Sequence, residues 1–455
     1  MKLVLLSGGS GKRLWPLSND SRSKQFLKVL KNSDDQLESM VQRVWSQLGK
    51  TNLAQDAFIA AGKGQLEMLQ SQIGMDVPVI IEPDRRDTFP AIALAATYLY
   101  SIQGVSLNEV ITVLPVDPFV EEKFFIKMKE LEEAVHQSDA ELALMGVNPT
   151  FPSEKYGYIV PKASDNDRDY MTVSHFIEKP HTDKAKELLE QQALWNCGVF
   201  AFKLNFMIEL LINKGLPIQY EEIVKKYHTL PKISFDYEVV EKARHTVVIP
   251  YDGYWKDLGT WNTLTEQIDN PIIGNGTLSG DSVNTHLINE LDIPVVILGL
   301  SNIIVSSSPD GILVSDKNAS PRVKELIGHI EQRPMYEERR WGSYRVLDYK
   351  KFSDGNHVLT KRICIKGGKN LSYQIHAHRN EVWTIIAGEG EFVLNGQLTR
   401  VTAGDVLKIP AYASHSIRAS QDLEIIEIQT GSELVEEDII RLCLSWEEIV
   451  ANLVI

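Results

Sequence analysis

The sequence predicts an α/β domain with a mostly parallel sheet over residues 1–270, a short β-rich region with a helical linker over 271–335, and an all-β barrel over 336–455. Three observations carry this. From Met1 to about Asn270, apolar strand-like runs alternate with amphipathic helix-like ones, as in a sheet covered by helices on both faces. From about Ile272 to Lys317 the pattern turns to short β-like pieces such as Val295–Leu300 and Ile303–Ser307, with turns such as Gly274-Asn275-Gly276. From Trp341 to about Gly431, alternating strands and Gly turns recur in the manner of a small barrel or jelly roll.

In the first region the expected strands are Leu3–Leu6, Phe58–Ala61, Val77–Ile81, Val110–Val116 and Ala143–Val147, with helices around Leu37–Leu48, Phe89–Ser101 and Phe124–His136. Ligands on such sheets sit beyond the carboxyl ends of the strands, so the residues that follow the apolar runs are the candidates. After the first strand comes Ser7-Gly8-Gly9-Ser10-Gly11-Lys12-Arg13. Glycines let a backbone approach an anion and aim successive N–H groups at it, while Lys12 and Arg13 supply full charge. The stretch is not a P-loop, because Arg13 stands where Ser or Thr ligates magnesium, and Leu14 stands where a Rossmann fingerprint has its third glycine. After the third strand lies Glu82-Pro83-Asp84-Arg85-Arg86-Asp87-Thr88-Phe89-Pro90, in which Asp87 or Thr88 can cap a helix that Pro90 helps to start. Asp117 closes the run Val113-Leu114-Pro115-Val116, where a strand end can present a carboxylate to a divalent cation. Pro321 to about Glu331 reads as the linker, and Glu337-Glu338-Arg339-Arg340 as a polar boundary before the last domain.

Composition narrows the function. The 455 residues suggest about three units, and 43% hydrophobic with 24% charged residues fits a soluble globular protein without a tract long enough to span a membrane. Cys197, Cys364 and Cys443 are few and far apart, as free thiols of a cytoplasmic protein would be. A net charge of −14 argues against nucleic acid as a partner. It leaves phosphorylated small molecules open, since those need only a few cations inside a cleft.

Arg13-Leu14-Trp15-Pro16-Leu17-Ser18, then Lys24-Gln25-Phe26-Leu27, resembles the signature of the long bacterial mannose-1-phosphate guanylyltransferases, GGxGxRLWPLS followed by PKQFL. Ser23 replaces the usual proline, which is expected to loosen the turn before Lys24. The resemblance implies a Rossmann-like nucleotidyltransferase domain. Glu82, Pro83, Arg86, Thr88 and Pro90 match a nucleotide-contacting EPxGRNTAPAI stretch, with Asp87 for asparagine and Phe89 for alanine. Asp117 matches the metal aspartate of LPADH, with Pro118 for histidine, and Trp255-Lys256-Asp257-Leu258-Gly259-Thr260-Trp261 matches WxDVGSW, which makes Asp257 the second magnesium carboxylate. Tyr156-Gly157-Tyr158-Ile159, Phe176-Ile177-Glu178-Lys179-Pro180 and Trp195-Asn196-Cys197-Gly198 match GYGYI, FxEKP and WNSG. They imply Gly157, Glu178, Asn196 and Gly198 on the sugar and Lys179 on its phosphate. Ser7, Gly8, Gly9, Gly11 and Lys12 would hold the nucleotide phosphates, with Arg13, Lys24 and Lys179 as the catalytic cations. The implied substrates are GTP and mannose 1-phosphate and the implied cofactor is Mg²⁺; the β-rich region is expected to serve either packing or dimerisation, the latter giving a homodimer.

In the last region, Gln374, His376 and His378 fall on one face of a strand because side chains alternate, and Glu381 joins them if a turn or bulge shifts the parity; His415 could complete the set. Such ligands suit zinc, iron or manganese. The spacing resembles the cupin motifs, with Gly388, Gly404 and Pro410 in place, and more narrowly the phosphomannose isomerase half of bifunctional proteins, QxHxHRxExW. The resemblance implies a Zn²⁺ site at Gln374, His376, Glu381 and His415, with His378 nearby. The segment after Glu437-Asp438-Ile439-Ile440-Arg441 lacks the family's YGR, and Val382 replaces a histidine. The alternatives to a guanylyltransferase alone are therefore a bifunctional enzyme that also interconverts mannose 6-phosphate and fructose 6-phosphate, and a sugar-nucleotide-binding protein without catalysis.

Overall fold

A computed structural model of the chain describes residues 1–9, 11–19, 21–162, 169–330, 332–435 and 438–453. Ser10 of the glycine-rich turn, Glu331 of the linker and Glu437 of the terminal motif lie outside the described residues. The chain forms two compact units. The first comprises Met1–Leu14, Ser23–Asn270 and Lys317–Arg322; the second comprises Trp15–Arg22, Pro271–Asp316 and Val323–Ile455.

In the first unit, a nine-stranded sheet is built from β1 (Lys2–Leu6), β2 (Ala57–Gly62), β3 (Val79–Glu82), β4 (Val110–Pro115), β5 (Leu142–Val147), β6 (Tyr158–Pro161), β7 (Met171–Ile177), β8 (Leu194–Lys203) and β9 (Thr246–Tyr251). The spatial order is β3-β2-β1-β4-β8-β5-β9-β7-β6. All strands run one way except β8 and β7, so the sheet is mixed, with its parallel part at β3-β2-β1-β4. Alternation sorts the side chains into two cores. Leu3 and Leu5 join Val44, Leu48, Phe124 and Leu131 on one face, while Val4 joins Ile92, Leu99, Met207 and Leu211 on the other. Helices Met40–Lys50 and Glu122–Gln137 thus cover one face, and Thr88–Ser101 and Leu204–Asn213 the opposite one.

The expected helix around Leu37–Leu48 is corrected at its start. Leu37–Glu38 is a short strand, and Ser39 begins the helix at Met40 with a capping box: its hydroxyl accepts from Gln42 N–H at 3.3 Å and Gln42 Oε1 accepts from Ser39 N–H at 3.0 Å. At the other helix in question the capping residue is Asp87, whose carboxylate accepts from Thr88 N–H at 2.8 Å.

In the second unit, residues 271–308 wind into short parallel strands, Ile272–Gly274 beside His286–Asn289 beside Ile303–Ser308, and Gly276–Leu278 beside Val295–Ile297, and Gly311–Asp316 then pairs antiparallel with Ile303–Ser308. They pack in one unit with the C-terminal residues rather than standing as a separate region. The linker is less helical than expected, a 3₁₀ turn at Ser320–Arg322 and a single α turn at Val323–Leu326. The C-terminal part is a two-sheet barrel, with six strands in one sheet, Arg379–Ala387 and Leu423–Gly431 central among them, and five in the other, including Tyr373–Ile375 and His415–Ala419. Among the described residues no helix is long and apolar enough to cross a membrane.

Candidate active site and candidate metal centre

The glycine-rich turn leaves β1 at the carboxyl edge of the sheet. Ser7 is buried; its N–H donates to the Ala60 carbonyl at 2.8 Å, and its hydroxyl and carbonyl both accept from Gln25 Nε2 at 3.1 Å. Gly9 and Gly11 have φ of 114° and 62°, values that favour glycine, and Gly8 has open space where a Cβ would stand. Lys12 is half-buried and Arg13 exposed in the 3₁₀ turn that follows. Ser23 does not loosen this region. It is buried, donates from its hydroxyl to the Gly9 carbonyl at 3.3 Å and accepts from Gln65 Nε2 at 2.9 Å, ties that a proline could not make.

Asp117 follows β4 directly. Asp257 reaches it through a two-stranded ribbon in which Pro118–Val120 pairs antiparallel with Trp255–Asp257, placing Asp257 opposite Pro118. The Lys24 ammonium lies between the two carboxylates, 2.7 Å from Asp117 Oδ2 and 3.2 Å from Asp257 Oδ1. Burial works to lower the Lys24 pKa, but the two carboxylates outweigh it and raise it above the ordinary lysine value. Burial likewise works to raise Asp257, and Lys24, Arg13 and Lys155 outweigh it and hold the carboxyl below its usual range. Lys155, which sequence reasoning missed, is an exposed residue of a loop with no periodic or motif signal of its own.

At the end of β3, Glu82 is buried, and its Oε2 accepts from the Tyr227 hydroxyl at 3.1 Å. Burial, opposed only partly by that bond, pushes Glu82 up to about 7. Arg86 donates to the Leu230 carbonyl at 2.6 Å and Thr88 Oγ1 accepts from Phe235 N–H at 2.8 Å, so both residues also tie the start of the helix Thr88–Ser101 to segment 230–235. Pro83 is exposed. A carboxyl raised on folding costs nothing below its unfolded pKa; the cost grows as pH rises towards the folded value and is complete above it. Glu82→Gln is therefore expected to stabilise the protein by about 2–3 kcal/mol at pH 8 and to change little at pH 4, as read from urea unfolding at the two pH values.

On the other half of the cleft, Gly157 has no room for a side chain. A Cβ there would stand 2.5 Å from both Glu178 Oε2 and Phe176 Cζ. Glu178 is buried, which raises its pKa, and Lys179, held at φ 46°, pairs with it. Asn196 Nδ2 donates to Asp236 Oδ1 at 2.7 Å, and Asn196 Oδ1 accepts from Gly198 N–H at 3.0 Å. Burial first, then the nearby Glu178, pushes Asp236 up to about 7. Asp236 was not among the sequence candidates, since a lone acid in a short helix carries no spacing signal.

In the barrel, His376, Glu381 and His415 are all buried, with their ligand atoms within 4.8 Å of one another. Glu381 joins His376 through a turn at residues 377–378, not through a bulge within one strand. His376 follows Tyr373–Ile375 in the five-stranded sheet, and Glu381 comes from Arg379–Ala387 in the six-stranded sheet facing it. His376 Nε2 and His415 Nε2 stand 3.4 and 3.5 Å from the two Glu381 oxygens. The Nδ1 atoms of His376 and His415 face the carbonyls of Asp438 and Ala413 at 2.5 and 3.0 Å, which fixes Nδ1 as the protonated nitrogen and leaves Nε2 as a lone-pair donor. His415 Nε2 is buried with no hydrogen-bond partner. An orphaned imidazole nitrogen beside a second imidazole and a carboxylate fits a divalent metal ion. Gln374 Nε2 lies 3.1 Å from His376 Nε2. His378 is exposed and stands outside the cluster. In its place Arg379, buried and missed by sequence reasoning, donates from Nε to Glu381 Oε1 at 2.8 Å and lies with NH2 3.3 Å from His376 Nε2.

Comparison with known proteins agrees with both halves. Residues 2–270 match the nucleotidyl transferase family and residues 329–443 the mannose-6-phosphate isomerase C-terminal family. A putative mannose-1-phosphate guanylyltransferase of Vibrio cholerae serotype O1 is 33% identical over 96% of this chain and 98% of its own. A mannose-1-phosphate guanylyltransferase of Salmonella montevideo is 31% identical with the same coverage of both chains. Among solved structures, one described as a mannose-1-phosphate geranyltransferase from Thermus thermophilus superposes with a TM-score of 0.60 at 26% identity, over 73% of this chain and 99% of that one.

Proposed function

The chain belongs to the mannose-1-phosphate guanylyltransferase family, a nucleotidyl transferase domain followed by a mannose-6-phosphate isomerase C-terminal domain, and on that premise we propose that it transfers GMP from GTP to mannose 1-phosphate. It is a nucleotidyltransferase enzyme. The observation that carries the substrate reading is the meeting of Asp117 and Asp257 on the Lys24 ammonium where Asp117 follows the end of its strand.

The reaction asks little covalent chemistry of the protein. A phosphate oxygen of the sugar phosphate bonds to the α-phosphorus, the bond from that phosphorus to the β-phosphate bridge breaks, and pyrophosphate leaves. Asp117 and Asp257 would hold Mg²⁺, for which a pair of oxygen ligands already gathered around a positive charge is suited; bound there, the ion neutralises charge on the phosphates. The chain's own residues position and neutralise. Arg13, Lys12 and the amides of Gly8, Gly9 and Gly11 hold the triphosphate, with Ser7 anchoring the turn on Ala60 and Gln25, while Lys24 and Lys179 keep positive charge beside the phosphates as charge redistributes. Glu82, Pro83, Arg86 and Thr88 line the nucleotide edge. Gly157 lets the sugar lie against the backbone, and Glu178 accepts from its hydroxyls. Pyrophosphate release from GTP and mannose 1-phosphate tests the reading.

A second activity is favoured by the orphaned His415 Nε2. We read His376, Glu381 and His415, with Gln374 beside them, as a Zn²⁺ site whose ion would polarise the sugar carbonyl during interconversion of mannose 6-phosphate and fructose 6-phosphate. His415→Ala is expected to remove close to one equivalent of bound zinc per chain, measured by elemental analysis after dialysis, and to leave nucleotidyl transfer unchanged. A coupled isomerase assay on zinc-loaded protein, with and without chelator, decides whether the bound metal serves catalysis.

A further inference from the structure

Both ends of the Asn196 amide are occupied inside the protein, Nδ2 on Asp236 and Oδ1 on the Gly198 N–H, and its backbone N–H donates to the Gly157 carbonyl at 2.8 Å. A side chain bonded at both ends is fixed in orientation, and its amide in turn holds the Asp236 carboxylate in place. Asp236 is differently placed. A carboxylate offers about four acceptor sites, and Asn196 Nδ2 takes one of them.

The helix Phe235–Glu238 that carries Asp236 is held firmly. Ser234 Oγ accepts from Tyr237 N–H at 3.3 Å, Thr88 Oγ1 accepts from Phe235 N–H at 2.8 Å, and the buried Phe235 ring packs on Phe200 with centroids 5.0 Å apart. Glu178, close enough to act on Asp236 through its charge, lies beside the position where any Cβ on Gly157 would collide. Lys179, paired with Glu178, lies with its ammonium 5.9 Å from the centre of the Tyr237 ring. Carboxyl oxygens so arranged suit a neutral group rich in hydroxyl donors.

We propose that Asp236 is a specificity residue that accepts a hydrogen bond from a sugar hydroxyl, alongside Glu178, and that Asn196 is a positioning residue that aims Asp236 rather than a sugar contact itself. The inference rests on the reading of this cleft as a sugar 1-phosphate site. It also orients the substrate: the hydroxyl face turns towards Glu178 and Asp236, and the phosphate turns towards Lys24 and Lys179.

The test is steady-state pyrophosphate release by the full chain and by Asp236→Ala and Asp236→Asn, with melting curves to show that each variant is folded. The substrates are mannose 1-phosphate and its 2-, 3-, 4- and 6-deoxy analogues. Asp236→Ala is expected to raise KM for mannose 1-phosphate about tenfold or more with KM for GTP unchanged, and Asp236→Asn to fall between it and the unsubstituted protein. With the unsubstituted protein, one deoxy analogue should lose about as much as the Asp236→Ala substitution costs, and that analogue should lose nothing further in the Asp236→Ala variant. Unchanged KM for the sugar phosphate, an equal rise in both KM values, or a loss additive with every deoxygenation would overturn the inference while the parent reading stands. Absence of turnover by the unsubstituted protein overturns the parent reading and this one with it.

Discussion

Asp257→Ala is expected to slow pyrophosphate release by about 10³-fold while the protein remains folded. Asp257 contributes one of the two carboxylates that converge on Lys24, and the ribbon that carries it is held by backbone pairing with Pro118–Val120, which the substitution leaves in place. What is lost is the arrangement of charge and not the scaffold. Single-turnover kinetics with saturating GTP, together with an unchanged far-ultraviolet spectrum, check both parts. A loss confined to KM would show that Asp257 only assists binding, since an interaction made in the transition state lowers kcat.

The second large effect is on stability. Glu381→Ala is expected to destabilise the barrel by about 3–5 kcal/mol in metal-free protein. Glu381 is buried among Arg379, His376 and His415 and also accepts from Trp383 Nε1 at 3.1 Å and Gln429 Nε2 at 3.2 Å. Removing it leaves a buried guanidinium without its nearest counter-charge, and two buried side-chain donors each lose a partner. Chemical unfolding followed by the fluorescence of the barrel's tryptophans measures this. Glu381→Gln should recover part of the loss, because an amide oxygen still accepts one hydrogen bond but carries no charge.

How much of this was legible in the chain depends on the distance over which each feature is encoded. The strands and the two-faced core followed from local alternation, as Leu3, Val4 and Leu5 illustrate by dividing between opposite faces. Asp117 could be placed because it closes an apolar strand. Asp257 could be placed only by its motif, since the ribbon that delivers it joins two three-residue strands far apart in sequence. The helix start at Ser39 was obscured by Leu37, an apolar residue that continues the periodic pattern but belongs to a strand.

The misses have one cause. Arg379, Asp236 and Lys155 are single charged residues whose meaning comes from what tertiary folding brings to them, a buried Glu381, an Asn196 amide and the Asp257 carboxylate. The single strand face expected for Gln374, His376 and His378 fails for a related reason. The strand ends at Ile375, and the turn that follows carries the chain from one sheet to the other, leaves His378 exposed and brings His376 and Glu381 face to face across the interior. Ser23, read from its motif as a weakening of the turn, supplies hydrogen bonds that proline would lack.

The central claim is that the cleft around Lys24, Asp117 and Asp257 joins a guanine nucleotide to mannose 1-phosphate. The most direct measurement is pyrophosphate release across a matrix of nucleoside triphosphates and sugar 1-phosphates, with Mg²⁺ present. The account predicts turnover that is fastest with GTP and mannose 1-phosphate and that vanishes when Mg²⁺ is chelated. No pyrophosphate from that pair, or faster release from another pair, would contradict it.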